Sequence, residues 1–140
     1  MQRRMANYRA RQEFEVLPQG RVLLVDDDAN DLEHHSAVLR SQGQNVFPSS
    51  SYEEGERLAE RGDFDLVVVN QGGTNFRGRT VVERATQPGR QLPVVVLADV
   101  ADIDLYLEAM QMGALDYLQK PVASGDFRRV LKVAACLTGV

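Results

Sequence analysis

The sequence predicts a doubly wound α/β domain built on a five-stranded parallel sheet. Three observations carry that reading. "VLLV" at 22–25, "LVVV" at 66–69 and "VVVL" at 94–97 are short, continuous runs rich in β-branched residues, as strands buried on both faces require. Stretches of ten or so residues with helical periodicity separate them, and strands alternating with helices join as right-handed βαβ units. A chain of 140 residues is the size of one such domain, with enough material to cover both faces of a sheet.

Each element has its own signal. The opening segment, residues 1–20, carries four arginines in its first dozen positions and no sustained apolar face; it is expected to be a flexible basic tail before a domain at 21–140. After the first strand, a helix is expected over 31–42, with Leu32, Val38 and Leu39 apolar and Gly43 as its stop. "QNVFP" around Val46 is a weaker strand candidate. Ser51-Tyr52-Glu53-Glu54 fits a capping box and opens a helix to residue 61. A third helix is expected near 79–86, ahead of the Pro88-Gly89 break. The fourth, over 102–112, places Ile103, Leu107 and Met110 on one face and stops at Gly113. "ALDYL" at 114–118 is the other weaker strand candidate, the fifth in order. The last helix is expected to be capped by Ser124, with Phe127, Val130, Leu131 and Ala134 at helical spacing.

Bulk properties exclude several functions. A net charge of −4 argues against bulk attraction to nucleic acid or to an anionic membrane. No apolar run approaches the roughly 18 residues of a membrane span, and no signal-peptide core is present. The single cysteine, Cys136, cannot form an internal disulfide. It is expected to be a small buried residue on the last helix, in a cytoplasmic protein. His34 and His35 are adjacent on a helix and diverge by about 100°, so they cannot chelate one metal.

In doubly wound sheets, sites form outside the carboxyl ends of the strands. There the chain places Asp26-Asp27-Asp28 after strand one, Asn70 at the end of strand three, Ala98-Asp99 after strand four and Lys120-Pro121 after strand five. Clustered carboxylates repel one another unless a cation compensates. An oxygen-rich acidic cluster suits a hard divalent cation such as Mg²⁺, and a lysine reaching in from another strand can steady a phosphoryl oxygen.

On these residues the chain resembles the receiver domain of two-component response regulators, the CheY-like type with a flavodoxin-like fold. The resemblance runs from about residue 21 to the C-terminus. It rests on "VLLVDDD", on "FDLVVVN" with Gly78 downstream, on "LPVVVLAD" and on "AMQMGALDYLQKPV". It implies the strand order 2-1-3-4-5. It further implies that Asp26 and Asp27 are the acidic pair that holds Mg²⁺, and that Lys120 is the lysine contacting the phosphoryl group. Pro121 is then the proline that follows through a cis peptide bond, and Tyr117 the aromatic whose ring moves with activation.

Two positions depart from the family pattern. Asn70 falls where the phospho-accepting aspartate stands, and Ala98 where a serine or threonine bonds the phosphate. "QGGTNFRG" keeps only Gly78 of the usual downstream pattern, with Thr74 in the place of a proline. An ionised carboxylate attacks a phosphodonor, whereas an amide has a delocalised nitrogen lone pair and an uncharged oxygen. Asn70 is therefore not expected to accept a phosphoryl group. With Asp26, Asp27 and Lys120, the pocket carries one net negative charge instead of two, so Mg²⁺ is expected to bind weakly at best, and Lys120 to pair directly with the acidic residues.

The resulting expectation is a pseudo-receiver in phosphorelay signalling. It is not an enzyme, requires no cofactor and acts by protein–protein contacts. Its surface is expected on the fourth helix, fifth strand and fifth helix, including Asp104, Tyr106, Glu108, Arg128, Arg129 and Lys132, for a signalling partner or a second copy; no nucleic acid and no membrane is expected. Two other readings fit parts of the chain. One is a conventional phosphorylatable regulator with an engineered or modified Asn70, against which Ala98 and the altered loop speak. The other is a haloacid dehalogenase-like phosphatase with Asp26 as nucleophile and Asp28 as acid/base. That reading lacks the later acidic pair, since only Asp126 follows Lys120.

Overall fold

The computed structural model describes residues 17–138, so the basic arm expected over 1–20 lies outside the described residues except for its last four. Leu17 is buried in the core. Gly20 donates its backbone N–H to Gln44 Oε1 at 2.9 Å, and Gln44 Nε2 donates to the Pro18 carbonyl at 3.0 Å.

Strand and helix then alternate: β1 (Arg21–Val25), α1 (Ala29–Ser41), β2 (Asn45–Ser49), α2 (Tyr52–Arg61), β3 (Leu66–Asn70), α3 (Arg79–Ala85), β4 (Val94–Ala98), α4 (Ile103–Gln111), β5 (Asp116–Gln119) and α5 (Ser124–Thr138). The five strands form one sheet in the order β2-β1-β3-β4-β5. All pairs are parallel, with Val22 opposite both Val46 and Leu66, Val67 opposite Val94 and Val96 opposite Tyr117. The order 2-1-3-4-5 is the one the resemblance implied.

Alternation along the strands divides the core in two. Leu23, Val25, Val67, Val69, Val94 and Val96 face Ala59 of α2, Val81, Val82 and Ala85 of α3, and Leu105 and Ala109 of α4. Val22, Leu24, Leu66, Val68, Val95 and Leu97 face Leu39 of α1 and Phe127, Val130, Leu131 and Ala134 of α5. β3 and β4 are buried along their whole length. At roughly 1.5–3 kcal/mol per buried Val or Leu side chain, they anchor the strand ends on which the site stands.

Helix starts follow their caps. Asp28 accepts from Asp31 N at 2.9 Å, Ser51 from Glu54 N at 3.2 Å, and Asp102 from Asp104 N at 2.9 Å. Such caps satisfy orphan amide donors of the first turn. Asp28 thus serves helix α1.

Three expectations need correction. On α4 the inward face is Leu105 and Ala109, while Ile103 is 68% and Leu107 48% exposed; Met110 packs partly against the core. The two apolar stripes lie about 200° apart on the helix, and the fully buried Ala109 lets its stripe lie close to the sheet. Ser124 is the first helical residue of α5, not its cap. The Ala123 carbonyl accepts from Asp126 N and Phe127 N at 3.0 and 3.3 Å and holds that position. Cys136 is exposed, because it stands two residues off the buried stripe that ends at Ala134.

Candidate functional site

Parallel order brings the carboxyl ends of β1, β3, β4 and β5 side by side, and the side chains there form two linked clusters. The first centres on Asp26, which is 1% exposed. Its Oδ1 accepts from Asp28 N at 2.9 Å, and its Oδ2 from Lys120 Nζ at 2.8 Å. The same ammonium donates to Asp31 Oδ2 at 2.8 Å and lies 3.6 Å from Asp99 Oδ1, with the lysine side chain 7% exposed. Burial pulls the Lys120 ammonium toward neutrality, but the hydrogen bonds and charges of Asp26 and Asp31 outweigh it and hold its pKa above the ordinary value. Burial pushes the Asp26 carboxyl up, against the pull of Lys120. The Lys120 hydrogen bond holds the Asp31 carboxyl below its usual range. The Lys120–Pro121 peptide is cis.

The second cluster centres on Asp27. Its Oδ1 accepts from Tyr52 Oη at 2.9 Å and from Asn70 Nδ2 at 3.4 Å. Its Oδ2 accepts from Arg77 Nη1 at 2.9 Å. The Arg77 guanidinium lies over the Tyr52 ring, 4.9 Å from its centroid. Asn70 Nδ2 also donates to Tyr52 Oη at 3.1 Å. Burial, reinforced by the nearby Asp27 charge, holds the Tyr52 hydroxyl protonated well above its ordinary pKa, which keeps it a donor. Because the Asn70 amide turns its hydrogens toward Asp27 and Tyr52, its Oδ1 faces away, buried and without a hydrogen-bond partner.

The loop after β3 determines what reaches this cluster. Gly78 N donates to the Gln71 carbonyl at 3.0 Å. A Cβ on Gly78 would meet Asn70 O at 2.3 Å, so only glycine lets α3 begin against the Asn70 backbone. Between them Phe76 adopts φ 48° and is buried in the core. A non-glycine residue there costs on the order of 1–3 kcal/mol, which burial of an aromatic ring offsets.

Tyr117 joins this loop to β4–α4. Its hydroxyl donates to Gln71 Oε1 and accepts from Asp102 N at 3.2 Å. Gln71 Nε2 donates to the Gly73 carbonyl at 3.1 Å. Ala98, fully buried at the end of β4, brings only a methyl group.

The fold therefore brings together Asp26, Asp27, Asn70, Ala98, Tyr117, Lys120 and Pro121, though Lys120 serves Asp26 and not Asp27. Sequence reasoning missed Asp31, Tyr52, Gln71 and Arg77. Tyr52 sits inside the recognised capping box and Arg77 directly before Gly78, yet no spacing rule assigns either to the pocket.

As the side chains stand, a divalent cation would have to compete with the protein for this donor set. Each oxygen of Asp26 and Asp27 already accepts from a protein donor, Lys120 and Arg77 bring positive charge to one carboxylate each, and the neighbouring residue 70 offers N–H groups. Among the described residues, no three His, Cys, Asp or Glu side chains are grouped to hold a metal ion. No described helix is long and apolar enough to cross a membrane.

Sheet order and helix placement are those of the CheY-like, flavodoxin-like class of α/β domains. Within it, residues 22–132 match the model of the response regulator receiver domain, and the chain belongs to that family. It is 33% identical over 110 residues to the alginate biosynthesis transcriptional regulatory protein AlgB of Pseudomonas aeruginosa, covering 79% of this chain and 24% of that protein. It is 33% identical over 105 residues to the response regulator PleD of Caulobacter vibrioides, covering 74% and 23%. The chain thus spans about a quarter of these curated relatives.

Among solved structures, a response regulator receiver domain protein from Clostridium thermocellum superposes with a TM-score of 0.77 at 25% identity, covering 85% of this chain and 96% of that one. The receiver domain of a Pseudomonas aeruginosa sensor histidine kinase, with a magnesium ion coordinated in its active site cleft, gives a TM-score of 0.69 at 26% identity, covering 83% and 97%.

Proposed function

We propose that this domain is a degenerate receiver that signals through protein contacts without taking a phosphoryl group at residue 70. The Asn70 side chain carries the reading. It is buried at the end of β3 and spends its amide hydrogens on Asp27 and Tyr52. In the receiver family this position is the phospho-accepting aspartate, and an amide has no anionic oxygen to attack phosphorus. Ala98 supplies no hydroxyl to bond a phosphate. Asp26 and Asp27 stand at the family's acidic pair and Lys120 at its phosphate-contacting lysine, here spent on a tie to Asp26 and Asp31.

Output is assigned to the face of α4, β5 and α5, for a signalling partner or a second copy in the cytoplasm. Val100, Ile103 and Leu107 are exposed there, and the Tyr106 ring meets Tyr117 edge-on at 5.6 Å. The same elements carry charged pairs: Glu108 of α4 pairs with Arg79 of α3 at 2.6 Å, and Arg129 of α5 with Asp116 of β5 at 2.9 Å.

The test is intact mass after incubation with acetyl phosphate and Mg²⁺, beside Asn70→Asp. The native chain is expected to gain no phosphoryl adduct. An adduct on the native chain would sink the proposal, and mapping it would identify the residue that serves in place of Asn70.

A further inference from the structure

We infer that Arg77 is a built-in counter-ion for the acidic pocket: its guanidinium takes the share of Asp27 that a divalent cation would need, so the pocket holds Arg77 or Mg²⁺ but not both. An exposed ion pair is weak on its own, and Arg77 is 59% exposed. Three further features hold it in place.

The guanidinium stacks on the Tyr52 ring at 4.9 Å, which adds a cation–π attraction to the ion pair. Tyr52 is in turn fixed at its hydroxyl, donating to Asp27 and accepting from Asn70. Arg77, Tyr52 and Asp27 therefore form a closed triangle in which each side restrains the other two.

Gly72 makes room for that triangle. Its φ is +80°, and a Cβ there would meet Arg77 Cβ at 2.7 Å and Tyr52 Oη at 2.9 Å. Any larger residue would push the arginine or the tyrosine out of place.

Asn70 completes the arrangement. An oxygen facing Asp27 would be a ligand for a cation, but the amide presents N–H groups there, and Oδ1 is left buried without a partner. Charge agrees: Lys120 sits on Asp26 and Arg77 on Asp27, one protein cation for each carboxylate of the pair. A dication entering at Asp27 would meet the guanidinium at about 5 Å, and that repulsion corresponds to roughly tenfold in affinity even at the dielectric constant of water.

Magnesium titration of the ¹⁵N-labelled protein tests this, at ionic strength held constant with NaCl and with no phosphodonor present. The Asn70 side-chain amide and the Gly72 and Gly73 backbone amides are the reporters. The native chain is expected to show no saturable response into the millimolar range. Arg77→Ala is expected to saturate about tenfold more tightly than any response of the native chain, and Arg77→Lys, which keeps the charge, to stay close to native. Saturation of the native chain and Arg77→Ala at equal affinity would overturn the inference, as would no saturation in either. Because the readout is metal binding alone, either result leaves the question of phosphorylation at Asn70 to its own experiment.

Discussion

The Tyr117 hydroxyl donates to the side-chain carbonyl of Gln71, so the aromatic of β5 is tied to the residue directly after Asn70. The same hydroxyl accepts from Asp102 N, the capping residue of α4. One side chain thus spans the β3 loop and the start of the exposed α4 face. Replacing Gln71 by Leu removes the acceptor but keeps the bulk. We expect Tyr117 to sample a second ring position, seen as exchange broadening of its ring resonances. Tyr117→Phe strands Gln71 Oε1 and is expected to cost roughly 1–3 kcal/mol in urea denaturation. A single sharp ring environment in Gln71→Leu would show that packing alone positions the tyrosine.

Lys120 compensates a carboxylate that has almost no access to water. Lys120→Met is expected to leave Asp26 buried without its cation and to lower stability by roughly 3–5 kcal/mol. Adding Asp26→Asn to that variant removes the stranded charge and is expected to restore much of the loss. Urea midpoints of the two single variants and the double variant measure the coupling. A loss below about 1 kcal/mol for Lys120→Met would mean that the ammonium does not serve Asp26 in solution.

His35 predicts an acid limb above the range of ordinary carboxylates. It is buried on α1 with its ring edge-on to Phe127 at 5.5 Å, and Nδ1 has no partner. Burial first, then the Lys120 charge, depresses its folded pKa below the ordinary 6.5. The unfolded chain takes up a proton near pH 6.5 while the folded chain stays neutral. Its stabilising contribution is therefore complete above 6.5 and is lost as pH falls through 6.5 toward the depressed folded value. The slope approaches roughly 1.4 kcal/mol per pH unit. Urea midpoints between about pH 7.5 and 5.5 should fall for the native chain and stay flatter for His35→Leu. Parallel curves would assign the acid limb elsewhere.

How much of this was legible in the chain depends on what each signal measures. Val22 to Val25, Leu66 to Val69 and Val94 to Leu97 announce themselves because both faces of each strand are covered. Asp26, Asn70, Ala98 and Lys120 were legible as strand-end residues, since strand position alone carries them to one edge of the sheet. The orientation of α4 was not: it has apolar residues on two stripes, and the sequence does not say which one the sheet accepts. Tyr52, Gln71 and Arg77 were missed for a different reason. Their placement depends on the loop path through Gly72, Phe76 and Gly78, where two positive φ angles and one close backbone approach decide direction. No periodicity encodes such a path.

The seating of Leu17 to Gly20 has a practical consequence. Gln44 clamps this stretch just ahead of β1, at the amino edge of the sheet, whereas Asn70 and Lys120 stand at the carboxyl edge. Pro18 and Gly20 line a small cleft together with Ala135 and Thr138 from the end of α5. Both ends of the described chain thus leave from one pole of the molecule. A biosensor chip that holds the protein at Leu17 or Thr138 would turn the pocket and the apolar α4 ridge outward, ready for whatever is passed over it.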